Sequence, residues 1–221
     1  MIRCMESLLE SSDAHPVSRR ERIDRLGRLA RPKIVKSLVL GLTDPANDCH
    51  WSFVERRNTS RYFTEPAPWI ADGAVDYLRT HLTGDSRIFE WGAGASTLWF
   101  VSHGATVTSY ETEQEWIDLI ESHAKGRASI ELHAPTDTGY TVPDLTGYDI
   151  VLIDGHRRSD CALHVADLGR SGQIVVFDDS ERSAHIRGAE ALSRRAGSQQ
   201  WHFPALTPMM TPNLTSIYAL S

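Results

Sequence analysis

From Trp69 onward the chain alternates between short, dense apolar runs and longer stretches in which apolar residues recur every three or four positions. The dense runs fall at 87–91 (RIFEW), 106–110 (TVTSY), 128–132 (ASIEL), 148–153 (YDIVLI) and 173–177 (QIVVF). Their brevity and their β-branched and aromatic content predict strands. The stretches at 69–82, 96–103, 113–125, 158–168 and 182–195 predict helices. Strand alternating with helix implies a parallel sheet, and the almost wholly apolar runs at 148–153 and 173–177 imply strands buried on both faces. Two further runs, 199–203 and 215–220, are separated by turn residues (TPMMTPN) and no helix. They predict an antiparallel hairpin at one end of the sheet. The expected fold is α/β: a doubly wound, mostly parallel, seven-stranded Rossmann-like sheet with a reversed last strand, spanning 69–221.

Residues 1–68 read differently. In 17–40 the apolar residues Ile23, Leu26, Ala30 and Ile34 sit at helical spacing among arginines, and Pro32 divides or kinks the helix. Its apolar stripe predicts a surface that covers the core or a second subunit, the latter a route to a homo-oligomer. Residues 41–68 are loop-like yet carry Trp51, Phe53, Tyr62 and Phe63, so they form either a lid over a site or a strap on the body.

Composition narrows the function. The 221 residues are 41% hydrophobic, enough for one domain with an extension. Net charge is −6, which supplies no general field for nucleic acid. Cys4, Cys49 and Cys161 form neither a CxxC pair nor a disulfide framework, so a reducing cytoplasm is expected. No apolar run reaches membrane-spanning length. Glu6, Glu10 and Asp13 argue against a transit peptide.

The first strand runs into a glycine turn, "IFEWGAGAST". Gly92 permits the tight turn, and Gly94 lets a ligand approach the backbone beyond Ala93. Ser96 can cap the helix that follows. Position 97 is Thr where a dinucleotide fingerprint wants a third glycine. Glu90, two residues before the turn, discriminates between ligands. A carboxylate repels a pyrophosphate but attracts an ammonium group, so the turn suits S-adenosylmethionine better than NAD. The alternative is that Glu90 pairs with a basic residue at the strand tip. Glu111 ends the second strand, where an acid takes ribose hydroxyls. Trp116 either flanks an adenine or belongs to the core. E-W-G-x-G-x-S-T, with Trp91 inside it, followed by Y-E, resembles the class I S-adenosylmethionine-dependent methyltransferases. That likeness spans about 69–221 and implies a cofactor held by Glu90, Trp91, Gly92, Ala93, Gly94, Ser96, Glu111, Trp116 and Asp154.

Two more motifs lie past neighbouring strands. "VLIDGHRRSD" carries Asp154 and His156, and "VVFDDSER" carries Asp178 and Asp179. Three carboxylates converging at strand ends require something positive between them. The candidates are a hard divalent cation, with magnesium first, or Arg157, Arg158 or Arg182, unless one acid stays protonated. I-D-G-H followed by a strand ending in D-D resembles the metal-dependent sugar O-methyltransferases of the macrocin and novobiocin type. That resemblance implies magnesium on Asp154, Asp178 and Asp179, beside a small polyhydroxylated acceptor. The chain departs from that pattern after Gly155, where His156 follows directly and Arg157-Arg158 come next. The proton acceptor is therefore open between His156 and Asp154. Acceptor choice is expected to lie in 41–68 and 134–147. Rival readings are a nucleotide-dependent enzyme of another class on the same fold, and a non-catalytic binding module.

Overall fold

The structure is a computed structural model that describes residues 63–206 and 212–221. The 17–40 helix, the greater part of the 41–68 segment, and the subunit contact expected from them lie outside the described residues. Among the described residues no helix is long and apolar enough to cross a membrane.

The chain runs α1 (Asp72–His81), β1 (Arg87–Trp91), α2 (Ala95–Ser102), β2 (Thr106–Glu111), α3 (Gln114–His123), β3 (Ala128–Leu132), a single 3-10 turn (Gly139–Thr141) and β4 (Ile150–Ile153). It continues through α4 (Arg158–Leu168), β5 (Ile174–Phe177), α5 (Ile186–Ala196), β6 (Gln200–Leu206) and β7 (Pro212–Ala219). The seven strands form one sheet in the order β3-β2-β1-β4-β5-β7-β6. β1 to β5 are mutually parallel, and β7 enters between β5 and β6, antiparallel to both. The reversed last strand and the terminal hairpin follow the expectation from the sequence.

The apolar runs are dense because their strands are covered on both faces. Phe89, Trp91, Val151, Ile153, Val175 and Phe177 point to one side and pack under α4 and α5 with Cys161, Val165 and Leu192. Ile88, Ile150, Leu152 and Val176 point to the other and meet Ala74, Val75 and Leu78 of α1 and Phe100 of α2. A strand's period of two enforces this division. It also decides where Glu90 goes: as the neighbour of Phe89 and Trp91 it faces the opposite side, beneath α2.

Two glycines let the ends of β1 and β4 touch. Gly92 has φ 92°, and a Cβ there would stand 3.2 Å from the backbone of Asp154 and Gly155. A Cβ on Gly155 would stand 2.4 Å from the Tyr140 hydroxyl and 3.0 Å from the Gly92 nitrogen. The turn that follows β1 is therefore seated directly on the turn that follows β4.

Candidate active site

The carboxyl ends of the parallel strands open into a cleft of about 520 Å³. Gly92, Ala93 and Glu111 form one wall. Asp154, Gly155, His156 and Arg157 form the floor, closed by Tyr140, Arg158, Arg182 and His185. The cleft lies past the ends of β1, β2, β4 and β5, where ligands enter open α/β sheets.

Glu111 is tied to the glycine turn. Its Oε2 accepts the Ala93 N–H at 3.1 Å, and Oε1 accepts the Thr112 N–H at 2.6 Å. Trp116 donates its indole N–H to the Ala93 carbonyl at 2.8 Å and packs beside the core between α2 and α3. It braces the turn from outside and does not line the cleft.

Glu90 does not line the cleft either. Its carboxylate is wholly buried. It accepts hydrogen bonds from Ser96 at 2.8 Å, from Ser109 at 2.7 Å, and from the Thr97 hydroxyl. Thr97 in turn accepts the Gly94 N–H at 2.8 Å. Glu90 thus clamps the start of α2 to β1 and β2 instead of offering an anchor to an ammonium group, a correction to the sequence reading. Burial pushes its pKa up to about 7 against the pull of the three hydroxyls. The Trp91 ring is likewise turned away, under α4, with its N–H on the Tyr140 carbonyl at 2.6 Å. Of the residues expected around the cofactor, the structure gathers Gly92, Ala93, Glu111 and Asp154 on the cleft. It sets Glu90, Trp91, Gly94, Ser96 and Trp116 behind it.

The acids of the second motif converge as expected, but on a guanidinium. Arg158 reaches Asp154 at 2.7 Å, Asp179 at 3.0 Å and Asp178 at 3.4 Å. Arg182 holds the other oxygen of Asp179 at 2.8 Å. From β7, Thr215 donates to Asp178 at 2.7 Å, and Asn213 donates to Asp179 at 2.7 Å. One oxygen of each acid is already turned toward the permanently charged Arg158. The donor set as built therefore does not fit the magnesium expected on Asp154, Asp178 and Asp179. Among the described residues no group of three His, Cys, Asp or Glu side chains could hold a metal. The arginine alternative is the arrangement present.

Burial and the neighbouring Asp178 raise the Asp154 pKa, with Arg158 opposing. Burial and Asp179 raise that of Asp178. A carboxyl poised upward on a cleft wall is suited to exchanging a proton. His156 also reaches the cleft, with its backbone N–H on the Tyr140 hydroxyl at 2.8 Å.

No protein-family model and no curated protein matches the sequence. Solved structures share the fold. An O-methyltransferase from Streptomyces achromogenes involved in tomaymycin synthesis, solved in complex with SAM, is 17% identical. The match covers 85% of this chain and 96% of that one, with a TM-score of 0.52. A SAM-dependent O-methyltransferase from Thermotoga maritima is 13% identical over 76% of this chain and 71% of its own, with a TM-score of 0.53. A precorrin-6y C5,15-methyltransferase from Geobacter metallireducens is 15% identical over 67% and 87%, with a TM-score of 0.50. At these identities the likeness is one of architecture: a Rossmann-like methyltransferase fold.

Several site residues escaped the sequence reading. Tyr140 comes from the β3–β4 connection, whose irregular pattern names no particular residue. Burial pushes its phenol pKa up, so it stays protonated. Asn213 and Thr215 reach the acids because β7 lies beside β5. Only the hairpin's position in the sheet could have announced them.

Proposed function

We propose that the chain is an S-adenosylmethionine-dependent methyltransferase that methylates a hydroxyl of a small polyhydroxylated acceptor. The observation that carries this reading is one cleft with Glu111 beside the glycine turn on one wall and Asp154 on the floor. A carboxylate at the end of β2 suits a ribose diol, and position 97 is Thr where a dinucleotide turn wants its third glycine. The residues present fit the cofactor's chemistry, and the fold is shared with methyltransferases.

The cofactor, when bound, supplies an electrophilic methyl group on a sulfonium. The protein's part is placement and proton removal. The turn at Gly92–Ala93 and Glu111 hold one partner, and the β4 turn seated against them fixes the distance to the other. Asp154 would take the proton of the acceptor hydroxyl. Its raised pKa makes it a better base than an ordinary aspartate. His156 at the cleft edge orients the acceptor.

Isothermal titration tests the reading. S-adenosylhomocysteine should bind and NAD should not. Glu111→Ala should weaken S-adenosylhomocysteine by about 10- to 100-fold, the loss of a charge-assisted hydrogen bond of about 1.5–3 kcal/mol. NAD binding in its place would replace this reading with a nucleotide-dependent enzyme on the same fold. Mass spectrometry of polyhydroxylated acceptors incubated with S-adenosylmethionine then identifies the methylated atom.

A further inference from the structure

We infer that Arg158 is a resident cation that does, from within the chain, what a divalent ion would do among these acids. It gathers three carboxylates at the strand ends and sets the orientation of Asp154 toward the acceptor. The inference rests on reading the cleft as a methyl-transfer site, and it makes Arg158 a positioning residue.

The guanidinium is planar with three nitrogens, and all three face the cluster. Nε–H meets the Gly155 carbonyl at 3.0 Å. Nη2 meets the carbonyl and Oδ1 of Asp154 at 3.0 and 2.7 Å. Nη1 meets the Asp178 carbonyl at 3.1 Å and Asp179 Oδ2 at 3.0 Å, with Asp178 Oδ2 at 3.4 Å. Each nitrogen is committed to the turn carbonyls or the acids, so Arg158 serves the acids. Its side chain is only 16% exposed. The contact is flanked by two left-handed residues, Arg157 with φ 47° and Asp179 with φ 56°. Side chains other than glycine hold that conformation where their surroundings over-determine it.

The consequence falls on Asp154. One oxygen is fixed by Arg158, and among the described residues the other has no hydrogen-bond partner, on a residue that lines the cleft. The guanidinium is planar, always charged and directional. It can therefore hold Asp154 in one orientation without occupying the free oxygen. An ion would require the carboxylate oxygens that now face Arg158, and its charge would repel the guanidinium. The two are alternatives.

Manganese, read by electron paramagnetic resonance, separates them. The full-length wild-type protein should leave the signal of free Mn2+ unchanged, and its affinity for S-adenosylhomocysteine should be the same in EDTA as in magnesium. Arg158→Gln should open the cluster and take up Mn2+, and adding Asp154→Asn should abolish that uptake. Wild-type protein that binds Mn2+ and loses it in Asp178→Asn would overturn the inference. So would a folded Arg158→Gln that binds none. Should Arg158→Gln not fold, the wild-type titration decides alone. Failure to bind S-adenosylhomocysteine would overturn the methyltransferase reading instead, while the Mn2+ result would still report on Arg158.

Discussion

Two sets of acids meet at the same edge of the sheet, and they are held by opposite means. Glu90 is surrounded by three neutral hydroxyls. Asp154, Asp178 and Asp179 surround a guanidinium, with a second arginine on Asp179. Hydroxyls stabilise a carboxylate but carry no net charge, so burial still wins and Glu90 titrates near neutrality. A guanidinium adds a full opposite charge that draws several acids into one small volume, although burial and their mutual repulsion still raise Asp154 and Asp178. The first arrangement is a clamp that shapes a turn. The second leaves one oxygen of Asp154 open on the floor of the cleft. Acids at strand ends therefore do not all report ligands; the nature of the donors around each one separates the roles.

The comparison breaks most sharply at Arg158. Arg158→Gln leaves three mutually repelling carboxylates, and losing one partner of a buried pair costs about 3–5 kcal/mol. Urea denaturation at neutral pH should show that loss, and Asp178→Asn in the same chain should recover part of it. An unchanged midpoint would mean that the guanidinium does not hold the acids.

A somewhat smaller effect belongs to Glu90 and appears as a pH dependence. Its pKa in the folded chain, about 7, lies above its ordinary 4.5. The folded chain therefore binds more protons through that window, and stability falls as pH rises from about 4.5 to about 7. Glu90→Gln removes the titration, so the variant should gain on the wild type across the same window by something on the order of 3 kcal/mol. A flat difference would mean that Glu90 ionises normally. Ser109→Ala gives the smallest change. It removes one donor, costs about 1 kcal/mol near neutral pH, and should cost less in acid, where the carboxyl is already protonated.

Much of the architecture was legible in the chain. The strands at 87–91 and 128–132 and the helix at 158–168 lie where periodicity puts them. Two-sided burial writes itself as unbroken apolar runs. The last helix begins at Ile186 rather than 182, because the left-handed Asp179 turns the chain and its carbonyl takes the N–H of Arg182 and the His185 ring instead. β6 continues through Pro204, which an edge strand tolerates with its missing donor on the outer side. The site was legible as a set of strand-end acids but not as a set of partners. Which cation stands among Asp154, Asp178 and Asp179 depends on the turn at Arg157, which directs Arg158 back into the cluster. Nothing in the spacing distinguishes that geometry from a metal site. The role of Glu90 depends on which face of β1 the cleft borders, and alternation alone names two faces without saying which one a ligand meets.

The dependence of Asp178 and Asp179 on Asn213 and Thr215 has a consequence for biosynthesis. A ribosome delivers β1 to β5 well before β7, so the nascent chain can assemble most of its sheet while these acids still lack their final donors. Both the edge of β5 and the polar groups beside it then stay open to water or to a chaperone. Insertion of β7 is the step that closes them, so the candidate site is completed only after the parallel strands have formed.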